Sequence, residues 1–273
     1  MRWFTQIVTV LLLPAALTAQ PPAAPNTTPD GVMLAFARFA DLFGSRLVAA
    51  FDSIPAARYD YRPTPVQQTV GYIAQHLEGA NYSLCERFGP VPDLERPATA
   101  KDSLADTVKA RWPKDTLVAR LRASLRFCDA ALERAGPLRS AALASDLLAF
   151  ETDLAEHYAQ VAVYMRQLGL VPPSALPPRP RTAVALPASA LSRYVGLYQL
   201  AMGLEVHVTM RDGALFGQSN AGGAPARLWP ESGTDFFLKE VDAQITFTRD
   251  ASGAVTGLVL HQYGRDRPRK KVR

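Results

Sequence analysis

A chain of 273 residues, 48% hydrophobic and 20% charged, is long enough for two modest cores and has neither a collagen-like nor a disordered composition. Its formal net charge of +5 is local, because Arg265 to Arg273 hold six basic side chains and one acid and the remainder is neutral. That excludes an extended basic surface for nucleic acid and leaves the tail reading as a solvated strand end.

The N-terminus has the layout of a secretory leader. Arg2 gives a short positive region, Ile7 to Leu17 form an apolar run broken by Thr9 and Pro14, and Thr18, Ala19 and Gln20 precede a Pro/Ala/Asn/Thr stretch. The run is too short to span a bilayer. Residues 1–20 are expected to be a signal peptide and 21–30 a disordered segment, with the mature protein periplasmic or secreted and off the membrane after cleavage.

From Gly31 the apolar residues step by three or four. Met33, Phe36, Ala40, Phe43, Leu47, Phe51 and Ile54 mark a first helix that Pro55 closes. The run Tyr61-Arg62-Pro63-Thr64-Pro65 is extended, since residues before proline avoid the helical region. Val70, Ile73, Leu77, Ala80, Leu84 and Phe88 mark a second helix ending at Gly89-Pro90. After a polar stretch with a short helix over Asp102 to Lys109, a third long helix carries Leu117, Leu121, Leu125, Cys128 and Leu132. A fourth carries Leu147, Phe150, Leu154, His157, Val161, Tyr164 and Leu168 before Gly169. Four amphipathic helices of this length bury their stripes as a bundle over residues 31–174.

Six prolines between Pro172 and Pro187 mark a semi-rigid linker over 175–190. Beyond it the period changes to two. Leu204 to Met210 alternate, and Ala214 to Phe216, Arg227 to Trp229, Phe236 to Leu238, Gln244 to Phe247 and Val255 to Gln262 are further short strands. Residues 191–273 are expected to form a small antiparallel β-barrel. The expected fold is thus a multidomain α and β chain, an up-down four-helix bundle followed by a barrel.

Three side chains carry potential chemistry. His157 lies on the stripe of the fourth helix, Asp153 one turn earlier on the same face, and His76 on the flank of the second helix's stripe. Two imidazoles and a carboxylate, with positions left open, suit a divalent metal ion such as zinc, nickel or ferrous iron. The alternative is a satisfied core histidine with an Asp/His hydrogen bond. The only cysteines, Cys85 and Cys128, form either a disulfide, which an oxidising compartment permits, or two buried thiols. His207, on the polar side of its strand, and His261, with no carboxylate evident beside it, read as surface residues.

At these residues a family resemblance appears. Tyr61 to Pro65 leading into His76, and Glu156-His157-Tyr158-Ala159-Gln160 leading through Tyr164-Met165-Arg166 to Gly169-Leu170-Val171-Pro172-Pro173-Ser174, resemble the DinB-like superfamily from about Val32 to Ser174. The resemblance implies a four-helix bundle whose metal is held by a histidine of the second helix and a His-x-x-x-His pair of the last. Carried over, the ligands are His76, Asp153 and His157, with Asp153 where the family has histidine. Some relatives are thiol-dependent transferases or isomerases. The β-region, through Tyr194-Val195-Gly196-Leu197-Tyr198, Val206 to Thr209, Leu228 to Ser232 and Gly253 to Gln262, resembles the lipocalin-like domain appended to secreted penicillin-binding-protein-like serine peptidases. The Ser-x-x-Lys nucleophile of those peptidases is missing from the chain.

Two functional readings follow. One is an exported metal-dependent hydrolase or thiol-type transferase acting on a small molecule. The other is a non-catalytic binding or assembly module with a degenerate metal site. Neither requires nucleic acid, and a homo-oligomer is compatible with both.

Overall fold

The computed structural model describes residues 31–89, 104–177, 179–199, 205–220, 222–262 and 265–273. The expected leader and the 21–30 segment lie outside the described residues. Four long helices account for the N-terminal half: α1 (Gly31–Ser53), α2 (Val70–Cys85), α4 (Lys114–Arg134) and α5 (Ala141–Gln167), with α3 (Asp106–Lys109) a single turn. Two of the starts are chemically specified. The Thr69 side chain accepts from the Tyr72 N–H at 3.1 Å and opens α2. Ser140 does the same for α5 through Leu143. Each such cap is worth about 1 kcal/mol.

α1 packs on α4 and α5, and α2 packs on the same two helices. Leu47, Phe51, Ile73, Leu77, Leu121, Phe150 and Leu154 are fully buried in the shared core, as their periodicity predicts. α2 departs from its expected stripe. Because it touches two helices, its buried face is wide and takes in Tyr82 and Cys85, while Ala80 and Leu84 are only half-buried and Phe88 lies beyond the helix end.

The polar groups beneath α2 are paired across to α4. Arg120 Nε donates to Glu78 Oε2 at 2.7 Å with its guanidinium 4.3 Å over the Trp112 ring. Asn81 Nδ2 donates to Ser124 Oγ at 2.9 Å. A disulfide joins Cys85 to Cys128, with a Cα separation of 5.1 Å and a sequence separation of 43. Closing a loop of that length removes about 4 kcal/mol of chain entropy from the unfolded state.

The C-terminal part is a closed antiparallel meander of eight strands. These are β1 (Gly196–Gln199), β2 (Glu205–Arg211), β3 (Ala214–Ser219), β4 (Ala226–Pro230), β5 (Asp235–Phe237), β6 (Ala243–Arg249), β7 (Val255–Gln262) and β8 (Arg265–Lys271). Each pairs with the next, and β1 pairs with β8 to close the barrel. An aromatic group occupies the interior. The Phe247 ring lies 4.4 Å from Tyr194, 5.3 Å from Phe236 and 5.5 Å from Tyr198. The short helix α6 (Ala188–Leu191) adds Leu191 to the same cluster.

Two sequence expectations need correction here. The basic tail is a strand end solvated on one face only, with Asp266, Pro268 and Lys270 exposed and Arg267, Arg269 and Lys271 half-buried. As β8 it is hydrogen-bonded on both sides, and its residues 267 and 269 share a sheet face with Leu260 and Leu258 opposite them. Arg267 forms an ion pair with the buried Asp41 of α1, because the strand runs alongside the helical half and a buried carboxylate there requires a cation. The proline-rich segment is also fastened ahead of the expected boundary at residue 191. The Val184 N–H donates to Pro230 O at 2.8 Å, and Arg181 Nη1 donates to Glu231 Oε2 at 2.8 Å.

Candidate functional site

α2 and α5 bring His76, Asp153 and His157 together. His76 Nε2 and His157 Nε2 each stand 3.5 Å from Asp153 Oδ1, and the two rings meet edge to face with centroids 4.9 Å apart. One ligand atom from each residue lies within 4.8 Å of the others. Two ligands each about 2.0–2.1 Å from a tetrahedral zinc ion stand about 3.3 Å apart, so the two 3.5 Å spacings to Asp153 are those of a shared ion.

The cluster is set into the helical half rather than onto it. The His157 side chain is 12% exposed, Asp153 21% and His76 36%, so access is from the His76 side. Asp153 Oδ2 is buried and has no hydrogen-bond partner. Burial alone would raise the Asp153 pKa, but hydrogen bonds and charge from His157 and His76 outweigh it and hold the carboxyl at about 2. For His157, burial acts to lower the pKa, and the hydrogen bonds of Asp153 and Gln160 with the nearby acids raise it instead. The site is therefore built around an anion that attracts positive charge. An orphaned carboxylate oxygen beside two inward imidazole nitrogens is a donor set that a divalent cation fits.

A second layer orients His157. Its Nδ1 lies 3.0 Å from Gln160 Oε1, Gln160 Nε2 donates to the Tyr164 hydroxyl at 3.0 Å, and that hydroxyl donates to the Gln68 carbonyl at 3.2 Å. The direction of this relay places one imidazole proton on Nδ1, so that loss of the second, which Nε2 shares with Asp153, frees the Nε2 lone pair for a ligand. Tyr61 fastens the same connector, with its ring edge-on to Tyr164 at 5.9 Å and its hydroxyl donating to Gln167 Oε1 at 3.2 Å. Gln160 follows His157 by three residues on the same helix face, a spacing that signals the contact, but its role depends on the path through Tyr164 to Gln68.

Cys85 and Cys128 stand apart from this cluster as the α2–α4 disulfide. His207 is at the surface, 3.6 Å from Glu205. His261 does have a carboxylate, contrary to the sequence reading. Its Nδ1 lies 2.6 Å from Asp266 Oδ1, directly opposite on β8, and its Nε2 lies 3.0 Å from Thr246 Oγ1. No helix among the described residues is long and apolar enough to cross a membrane.

Residues 180–270 match a family described as a domain of unknown function (DUF3471), a span that begins where Arg181 joins the β-region and so includes the fastened part of the proline-rich segment. A search of curated proteins finds no match to the chain.

Proposed function

We propose that the helical half is a DinB-like four-helix bundle that binds one divalent metal ion, zinc, nickel or ferrous iron, through His76, Asp153 and His157. The observation that carries this reading is the convergence of three ligand atoms, one each from His76, Asp153 and His157, within 4.8 Å of one another. Three protein ligands with open positions are the composition of a catalytic rather than a structural site. When bound, the ion would supply Lewis acidity and lower the pKa of a water or small thiol beside it. Gln160 holds the His157 ring in the ligating tautomer, and the partly exposed His76 leaves the approach open to a small substrate. On this reading the protein is an exported metal-dependent hydrolase or thiol-type transferase acting on a small molecule, and the barrel is its accessory module.

The test is metal content after periplasmic expression. The wild type should carry about one equivalent of zinc, nickel or iron per chain, and His157→Ala should carry little. Asp153→Asn keeps the side-chain shape and serves as the folding control. Sub-stoichiometric metal in wild type and variants alike would overturn the proposal and leave a non-catalytic binding module with a degenerate site.

A further inference from the structure

The flank of α5 that faces away from the histidine cluster meets α1 in an open groove of about 520 Å³. That volume is within the range of small-molecule pockets, about 300–1,000 Å³. Val32, Phe39, Phe43 and Leu148 line it with Glu151 and Glu156. Val32, Phe39 and Leu148 are each about half exposed, although large apolar side chains gathered in one patch are costly to leave in water. Phe39 stacks on Phe43 with centroids 6.4 Å apart, and Phe43 lies 6.3 Å from Tyr158, which makes one wall aromatic.

Glu151 sets the chemistry of this groove. Both of its carboxyl oxygens are buried without a hydrogen bond of good geometry, although the Ala40 backbone acts on them as a donor. A buried carboxyl so sparsely satisfied is a standing cost that a ligand's N–H can reduce. Both ionisable residues lining the groove are acidic and none of its described lining residues is basic, so an anionic head is disfavoured and a cationic one favoured. Aromatic faces nearby act in the same direction. A second copy docking by two-fold symmetry would bring the same two acids and no cation.

We propose that this groove binds an amphiphilic amine. Its aliphatic or aryl body lies along Val32, Phe39, Phe43 and Leu148, and its nitrogen donates to Glu151. The site is separate from the histidine cluster and does not depend on a metal there.

Calorimetric titration of the chelator-treated full chain with decylamine and with decanoate, both below their micelle concentrations, tests it. Decylamine should saturate one site per chain and decanoate should bind at least tenfold more weakly. Glu151→Leu should bring the two affinities within about threefold of each other, and Phe39→Ser should weaken decylamine at least tenfold. Equal wild-type affinities, or a preference that survives Glu151→Leu, would overturn the proposal. Should Glu151→Leu fail to fold by circular dichroism, Phe39→Ser decides: lost binding supports the site and unchanged binding refutes it. A wild-type dimer that Phe39→Ser converts to monomers, without decylamine binding, would assign the groove to a second copy instead.

Discussion

The helical half leaves two buried carboxylates short of partners, whereas the barrel surrounds its partly buried Asp235 with donors. In the helical half, Asp153 keeps one carboxylate oxygen buried and unpartnered and Glu151 keeps two. Burial pushes Glu151 up to about 8, against a small opposing pull from the Ala40 backbone. In the barrel, partial burial also acts to raise Asp235, but hydroxyls of Ser232, Thr246 and Thr234 hold it below the usual carboxylate range. His261 is held between Asp266 and Thr246. Among the described residues, the barrel's buried side-chain atoms without partners are Nε of Arg267 and Arg269, on the strand that reaches the helices. Saturated polar groups make a scaffold, and groups left wanting a partner mark where a ligand is received. By that criterion both proposed ligand sites lie in the helices.

The contrast can be broken from the barrel side. Phe247 is 2% exposed at the centre of the aromatic cluster, so Phe247→Ala should cost about 3–5 kcal/mol of barrel stability. Denaturant unfolding followed by barrel tryptophan fluorescence should show that loss, while metal bound per chain stays at the wild-type level. Parallel loss of metal would mean that the barrel is part of the site. The helical half is addressed by Cys85→Ala/Cys128→Ala, which should lower its own transition by about 2–4 kcal/mol and leave the barrel's unchanged in calorimetry. Titration of the unfolded, unreduced wild type should find no free thiol.

How much of this was readable beforehand follows from which interactions are local. The long helices repeat apolar residues at their own period, so their positions and the shared core could be read directly. His76, Asp153 and His157 were also within reach, since one turn separates the last two and each sits on or beside a buried stripe. The barrel was expected too, but the strand that closes it was not. β8 reads Arg-Asp-Arg-Pro-Arg-Lys-Lys, a composition depleted in strand formers and containing a proline that argues against a central strand. Missing that strand concealed the His261–Asp266 pair, which exists only through the β7–β8 register. The Arg267–Asp41 pair was concealed for the same reason. Glu151 lies two residues before Asp153, but on a different face of α5, and its isolation depends on α1, which no local pattern encodes.

The finest test of the contrast is the network behind His157. If the helical half is organised to receive a metal, the Gln160 amide matters because it fixes the imidazole tautomer, not because it stabilises the helix. Gln160→Ala removes the acceptor at 3.0 Å from Nδ1 and frees the ring to turn or to exchange its proton between nitrogens. Loss of such an outer partner lowers metal affinity by about ten- to a hundredfold. Zinc titration against a colorimetric chelator should show that loss, with thermal unfolding of the metal-free protein little changed. Gln160→Glu supplies another acceptor for the Nδ1 proton and should restore the affinity. A loss that Gln160→Glu does not repair would mean that packing alone orients His157. The polar network would then be scaffold, as it is in the barrel.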